Sequence, residues 1–279
     1  MSFQYIDIHS HLNFAAFDAD REEVMKRAQE AGVAMVNVGT QKDTSLAAVQ
    51  LAEKYADGVF AIVGMHPIHT SASFHDEKEL GKGNTEFTSR GEAFDYDFYK
   101  KLAMHPKVVG IGECGLDYYR LEAESEKKQR EAFSAQIVLA NEVKKPLMLH
   151  VRNGAGRLAY RDALVMLKRE AKVGGDFHFF AGSWDEAREI LDAGFHLSFT
   201  GVITFTHDYD EVVRNMPLDR ILSETDAPYV APAPFRGKRN EPAFVVEVAK
   251  AIARIKGREV AEVAAQILEN AARLFAVAL

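Results

Sequence analysis

Eight short apolar runs, separated by helix-compatible stretches, constrain the fold of this sequence more than any other feature. They lie at Tyr5 to His9, Ala34 to Val38, Val59 to Gly64, Val108 to Glu113, Pro146 to His150, Asp176 to Phe180, Phe195 to Phe199 and Arg220 to Glu224. Runs this short suit strands covered on both faces better than buried helices. Between them, segments such as Arg21 to Ala31, Thr44 to Tyr55, Glu126 to Val143 and Asp185 to Ala193 are compatible with helix. Regular alternation of strand and helix predicts a parallel sheet, and eight repeats favour closure into a (β/α)8 TIM barrel of the α/β class.

The 279 residues match the length of one such barrel, and no stretch reads as a linker, so a single domain over 1–279 is expected. Ser183-Trp184-Asp185-Glu186 has capping-box spacing, and Gly194 and Gly257 stand where helices should stop. Two final helices carry apolar stripes, Phe244, Val248, Ile252 and Ile255, then Val260, Val263, Ile267, Leu268 and Leu274, which read as core packing. One segment breaks the rhythm. Pro67 to Phe94, with Ser71, Ser73, Gly81, Gly83, Ser89 and Gly91, is far longer than an ordinary connection in an α/β unit. Following the third strand, it would lie over the active-site face, with a lid and a disordered insertion as equally weighted readings.

A 47% hydrophobic and 27% charged composition fits a soluble globular protein, and no apolar run has the length of a membrane span. The first residues lack the features of a secretory signal, and one cysteine, Cys114, forms no internal disulfide; both point to the cytoplasm. Cys114 itself reads as a small buried neighbour of Glu113. A net charge of −7 argues against a broad phosphate-tracking groove. Any nucleic-acid contact is then local, with a shallow dependence on salt.

His9, His11, Glu113, His150, His178 and Asp226 each close or follow one of the strand runs. Structural zinc sites draw on nearby pairs of ligands, whereas a barrel active site collects single residues from many strand ends. His9 and His11 are two apart, so on a strand both side chains take the face that Asp7 shares, opposite Ile6 and Ile8. A lone buried histidine is more often a hydrogen-bonded core residue than a ligand. Four imidazoles and two carboxylates converging on one barrel mouth would be costly to bury without a cation. Six ligands exceed the usual three for one catalytic zinc, so two divalent ions sharing a carboxylate are expected, with Glu113 as the bridge. The imidazole-rich set suits zinc, manganese or cobalt better than magnesium, which prefers oxygen donors. Two such ions activate water, which makes hydrolysis the expected reaction, and Asp226, after the eighth strand, is the candidate proton acceptor.

Candidate phosphate contacts are His66 and Arg152 at strand ends, and Arg236, Lys238 and Arg239 before a helix expected to start near Asn240, with Pro242 in its first turn. His66 and Arg152 could equally hydrogen-bond carboxylates such as Asp117. Tyr118, Tyr119, Phe180, Tyr229 and Phe235 could stack bases, although rim packing is the expected role for most.

The motifs Asp7-Ile8-His9-Ser10-His11, Gly64-Met65-His66-Pro67, Gly112-Glu113-Cys114-Gly115-Leu116-Asp117-Tyr118-Tyr119, Leu149-His150-Val151-Arg152, Glu224-Thr225-Asp226-Ala227-Pro228-Tyr229 and Arg236-Gly237-Lys238-Arg239-Asn240-Glu241-Pro242 run from end to end. Together they resemble the TatD family of metal-dependent deoxyribonucleases, among the amidohydrolase-like barrels. The resemblance implies a two-metal site built on His9, His11, Glu113, His150, His178 and Asp226. It also implies hydrolysis of DNA phosphodiesters, often from a 3′ end, and the few basic residues favour single-stranded or frayed ends over a duplex. The chain departs from the family pattern at Val151, Asn153-Gly154, Phe179 and Ala181, which puts the substrate pocket in question more than the metal chemistry. Competing readings are a two-metal hydrolase of another ester or amide, including an aminoacyl-tRNA deacylase, and a non-catalytic nucleic-acid-binding module. No feature identifies a protein partner or an oligomeric state.

Overall fold

A computed structural model describes residues 3–72, 74–75, 87–88, 91–119 and 125–279. All eight expected runs form one parallel sheet. Its strands are β1 (Tyr5–Ser10), β2 (Val33–Val38), β3 (Val59–Val63), β6 (Val108–Asp117), β7 (Leu147–Arg152), β8 (Gly175–Phe177), β9 (His196–Phe199) and β10 (Ile221–Ser223), in that spatial order. Two-residue strands β4 (Phe74–His75) and β5 (Phe87–Thr88) pair antiparallel outside it, and half of the Pro67 to Phe94 segment, expected to be a lid or an insertion, lies outside the described residues.

The helices α1 (Arg21–Glu30), α2 (Lys42–Glu53), α3 (Tyr96–Ala103), α4 (Ser125–Val143), α5 (Ala159–Glu170), α6 (Trp184–Asp192), α7 (Asp210–Asn215), α8 (Val245–Lys256) and α9 (Val260–Phe275) fall among and after these strands. Local sequence sets their ends. Ser183 Oγ accepts from Glu186 N–H while the Glu186 carboxylate accepts from Ser183 N–H, and Gly257, with φ 64°, stops α8. The segment after Asn240 begins with a 3-10 turn, Pro242–Phe244, and becomes α-helical only at Val245.

The sheet closes by a sparse seam. No ladder joins β10 to β1; a single bridge pairs Ser10 with Ala227, His11 N–H donates to Ala227 O (2.8 Å) and Asp226 N–H donates to His9 O (2.8 Å). Below it, Ser223 Oγ donates to Ile6 O (3.0 Å), and Thr225 donates through N–H (2.9 Å) and Oγ1 to the Asp7 carboxylate. α8 and α9 pack over this seam, burying Val248, Ile252, Val263 and Ile267, and Asn270 Nδ2 ties α9 to Leu218 O and Ile221 O, both at 2.9 Å. The closure therefore fixes the two ends of the described chain against each other beside His9, His11 and Asp226.

Two strands differ from expectation by more than two residues at their C-terminal ends, where the site lies. β6 runs on to Asp117, four residues beyond Glu113, while β8 stops at Phe177. Past β8, Phe179 takes φ 46° and its N–H donates to Glu224 Oε1 (2.5 Å) instead of to a strand, which turns His178 inward. Cys114 is fully buried, with Sγ 3.6 Å from Met148 O, as a packing residue.

Candidate metal centre

His9, His11, Glu113, His150, His178 and Asp226 converge at the C-terminal end of the barrel, and Glu113 stands in the middle. Its Oε2 faces His9 Nε2 (3.4 Å) and His11 Nε2 (3.9 Å), and its Oε1 faces His178 Nε2 (2.8 Å) and His150 Nδ1 (3.1 Å). Within each group the ring nitrogens face one another, His9 Nε2 and His11 Nε2 at 3.2 Å, His150 Nδ1 and His178 Nε2 at 3.3 Å. Asp226 Oδ1 completes the first group, 3.3 Å from His11 Nε2 and 3.8 Å from His9 Nε2.

These distances test whether a metal fits. Donors held about 2.0–2.1 Å from one ion at tetrahedral angles lie roughly 3.3–3.4 Å from each other, which matches both facing pairs. Two imidazole nitrogens pointed at each other share at most one proton, whereas a cation between them satisfies both. The donor set therefore fits divalent ions, and coordination by neutral imidazole makes affinity rise with pH.

Packing around the ligands fixes their orientation. His11 Nδ1 lies 2.9 Å from Val38 O, and His150 Nε2 lies 2.9 Å from Asp117 Oδ2. Beneath them, the fully buried Glu224 carboxylate faces His9 Nδ1 (3.9 Å) and His178 Nδ1 (3.6 Å), and the two rings stack 3.9 Å apart. Ser198 Oγ bonds Glu224 Oε2 (3.0 Å) and Asp176 Oδ2 (2.6 Å), so the layer below the histidines is acidic. Outer carboxylates of this kind set the tautomer of a ligating imidazole and raise its basicity.

The electrostatics follow from that packing. Burial would push the Glu113 carboxyl up, but His66, His178 and His9 overcome it and hold it well below its ordinary value. Burial opposes charge on His11, His150 and His178 too, yet the carboxylates beside them, Asp226, Asp117 and Glu113 respectively the foremost, leave all three raised. His9 is lowered, first by burial and then by His178. Burial would raise Asp117, but the hydrogen bond and charge of His150, the Tyr119 N–H and the charge of His66 together outweigh it and settle it at about 2.

The expected phosphate-contact residues divide. His66 is buried among the ligands: Nδ1 accepts from Ile68 N–H (3.1 Å), which leaves Nε2, 3.2 Å from Glu113 Oε1, to carry the proton. Burial and then His150 lower His66 to about 4, so it is a neutral donor. Arg239 is committed elsewhere, bonding Ala16 O (2.7 Å) and Asp20 Oδ2 (2.6 Å) and lying over the Phe17 ring. Arg152, Arg236 and Lys238 have no hydrogen bond or ion pair among the described residues, and their cations lie over Tyr119, Phe205 and Phe235 at 3.8, 3.6 and 6.0 Å. Among the expected stacking rings, Phe180 and Tyr118 are buried and Phe235 stacks on Phe244, whereas Tyr119 is exposed.

Asp226 owes its position to motif residues for which the sequence suggested no such role. It takes φ 55°, a left-handed conformation costly for a non-glycine residue, and its C=O accepts from Tyr229 N–H (2.9 Å). Buried Asn240 donates through Nδ2 to Thr225 O (2.8 Å) and Tyr229 O (2.6 Å), clamping the loop from both sides. Glu224, Asp176 and Ser198 also escaped the ligand reading. Residues two apart on a strand share a face, as Glu224 would with Asp226 and Asp176 with His178, but parity does not reveal cross-strand contacts.

A family model of TatD-related DNases matches residues 6–276. The chain is 40% identical over 276 residues to an uncharacterised metal-dependent hydrolase, YabD, of Bacillus subtilis, covering 97% of this chain and 98% of that protein. It is 36% identical over 277 residues to the 3′-5′ ssDNA/RNA exonuclease TatD of Erwinia tasmaniensis, covering 96% and 98%. The crystal structure of YjjV, a TatD homologue from Escherichia coli, superposes with a TM-score of 0.80 at 26% identity, covering both chains completely. The chain thus belongs to the TatD family of metal-dependent hydrolases.

Proposed function

We propose that this hydrolase is a phosphodiesterase that removes nucleotides from the 3′ end of single-stranded DNA or RNA. The observation that carries the reading is the placement of Glu113, one oxygen toward each pair of histidines, which is the donor arrangement for two ions sharing a carboxylate. Named exonuclease relatives at 36% and 34% identity, aligned over nearly the whole chain, support the substrate class.

Divalent ions held there supply Lewis acidity toward a phosphoryl oxygen and toward water. The chain contributes the rest. Glu113, His9, His11 and Asp226 would hold one ion, and Glu113, His150 and His178 would hold the other. The Asp226 side chain keeps some solvent access at the mouth, 12% against 4% for Glu113, so it is the carboxylate placed to take a proton from attacking water. His66 Nε2–H is a neutral donor that steadies Glu113 or a phosphoryl oxygen.

The test is a 5′-labelled single strand incubated with zinc, manganese or magnesium and either the wild type or Asp226→Asn. A ladder shortening from the 3′ end with the wild type, and a loss of about 10²-fold or more in the variant, is expected. Intact DNA and RNA in a wild-type reaction that retains its metal would reject the reading, and another ester or amide becomes the substrate class to screen.

A further inference from the structure

Two exposed aromatic rings follow strand ends on the face of the barrel that carries the candidate metal centre, each with an arginine laid over it. Among the described residues, Tyr119 (48% exposed) and Phe205 (40%) are the aromatic members of the large exposed hydrophobic set. Both stand at the catalytic end of the barrel. Tyr119 follows β6, and its partner Arg152 is the last residue of the adjoining β7, with the guanidinium 3.8 Å from the ring centroid. Phe205 follows the 3-10 turn Gly201–Thr204 after β9, and its partner Arg236 comes from the loop after β10, 3.6 Å from the centroid. β8, which delivers His178, lies between the two pairs.

The arginines are unusual in this molecule. Described arginines elsewhere bond a carboxylate or a carbonyl, as Arg27 does with Glu241, Arg130 with Asp162 and Arg254 with Ile203 O. Arg152 and Arg236 do neither, and only Arg161, exposed on the outer helix α5, shares that condition. A guanidinium flat on a ring is held in orientation by cation–π attraction while its in-plane N–H groups stay free, and those groups match phosphate oxygens in pairs. Its outer face and the exposed ring edge are surfaces on which an unstacked base can lie.

We propose that Tyr119–Arg152 and Phe205–Arg236 are two nucleotide subsites, one on each side of the metal centre, that grip a single strand across the scissile phosphate. The proposal rests on the phosphodiesterase reading and adds where the strand runs. Duplex bases are stacked on one another and cannot occupy such platforms, so the pairs select single-stranded nucleic acid.

The test measures binding of a labelled phosphorothioate DNA single strand, on the order of ten nucleotides, which resists cleavage, to manganese-loaded protein. Tyr119→Leu and Phe205→Leu keep apolar volume and remove the ring; each should weaken binding roughly 5- to 150-fold, the range for loss of one stacked base. Arg152→Ala and Arg236→Ala should weaken it as well, whereas Arg161→Ala, the same change of charge on the outer helix, should not. Circular dichroism and metal content check that each variant is folded. If the wild type binds and both leucine variants bind as it does, or Arg161→Ala weakens binding equally, the subsites are overturned and the phosphodiesterase reading stands. If the wild type binds no strand and cleaves none, the phosphodiesterase reading falls and the subsites fall with it.

Discussion

Nδ1 of His9 and Nδ1 of His178 are buried without a hydrogen-bond partner among the described residues, and both face the same carboxylate, that of Glu224. The two histidines belong to different halves of the metal centre, so Glu224 links the halves from below as Glu113 links them from above. Replacing it by glutamine keeps its shape and can keep the bond from Ser198, but removes the charge that favours Nδ1–H on both rings. Metal affinity should fall about 10- to 100-fold, read by competition with a chelator, with little change in far-ultraviolet circular dichroism. Unchanged affinity would show that the orphaned nitrogens do not depend on that charge. At this scale the candidate ligands were legible because each is a chemically distinctive residue closing or following an apolar run. Glu224, two residues before Asp226, was visible only as a neighbour, because its role depends on rings from β1 and β8.

β6 and β7 show how elements place ligands. The strand-like run in the sequence ends at Glu113, yet the strand continues to Asp117 and pairs with β7 as far as Arg152. Gly115 has φ 142°, and a Cβ there would lie 2.1 Å from His150 O, so only glycine lets the two backbones approach this closely. That approach brings Asp117 against His150. Gly115→Ala should cost about 1–3 kcal/mol by chemical denaturation and should weaken metal retention through His150. An alanine variant with wild-type stability and metal content would refute this account of the strand pair. The same reasoning explains the Arg236 to Pro242 segment, which reads as one basic turn but divides by function. Asn240 clamps the Asp226 loop and Arg239 pairs with Asp20, while Arg236 stays exposed.

Across the whole molecule, the candidate metal centre sits at the C-terminal end of the barrel and stability can be probed from the other. His196 opens β9 at the far end, is buried, and has no hydrogen-bond partner for either ring nitrogen among the described residues. Burial first, then Arg220 and Arg273, lower it from 6.5 to about 4. Between those values the unfolded chain binds the proton and the folded one does not, so this contribution is complete above pH 6.5 and is lost as pH falls toward 4. The slope is at most about 1.4 kcal/mol per pH unit. His196→Leu should flatten the pH dependence of denaturant stability in that window, and an unaltered profile would contradict it. The sequence by itself determined the alternation of strands and helices and named the six candidate metal ligands, because periodicity and donor chemistry are local properties of the chain. Only the tertiary structure decided which Glu113 oxygen faces which histidines, how sparsely β10 meets β1, and which arginines lie over exposed rings. Those are distances between side chains far apart in sequence, and closure of the barrel sets them.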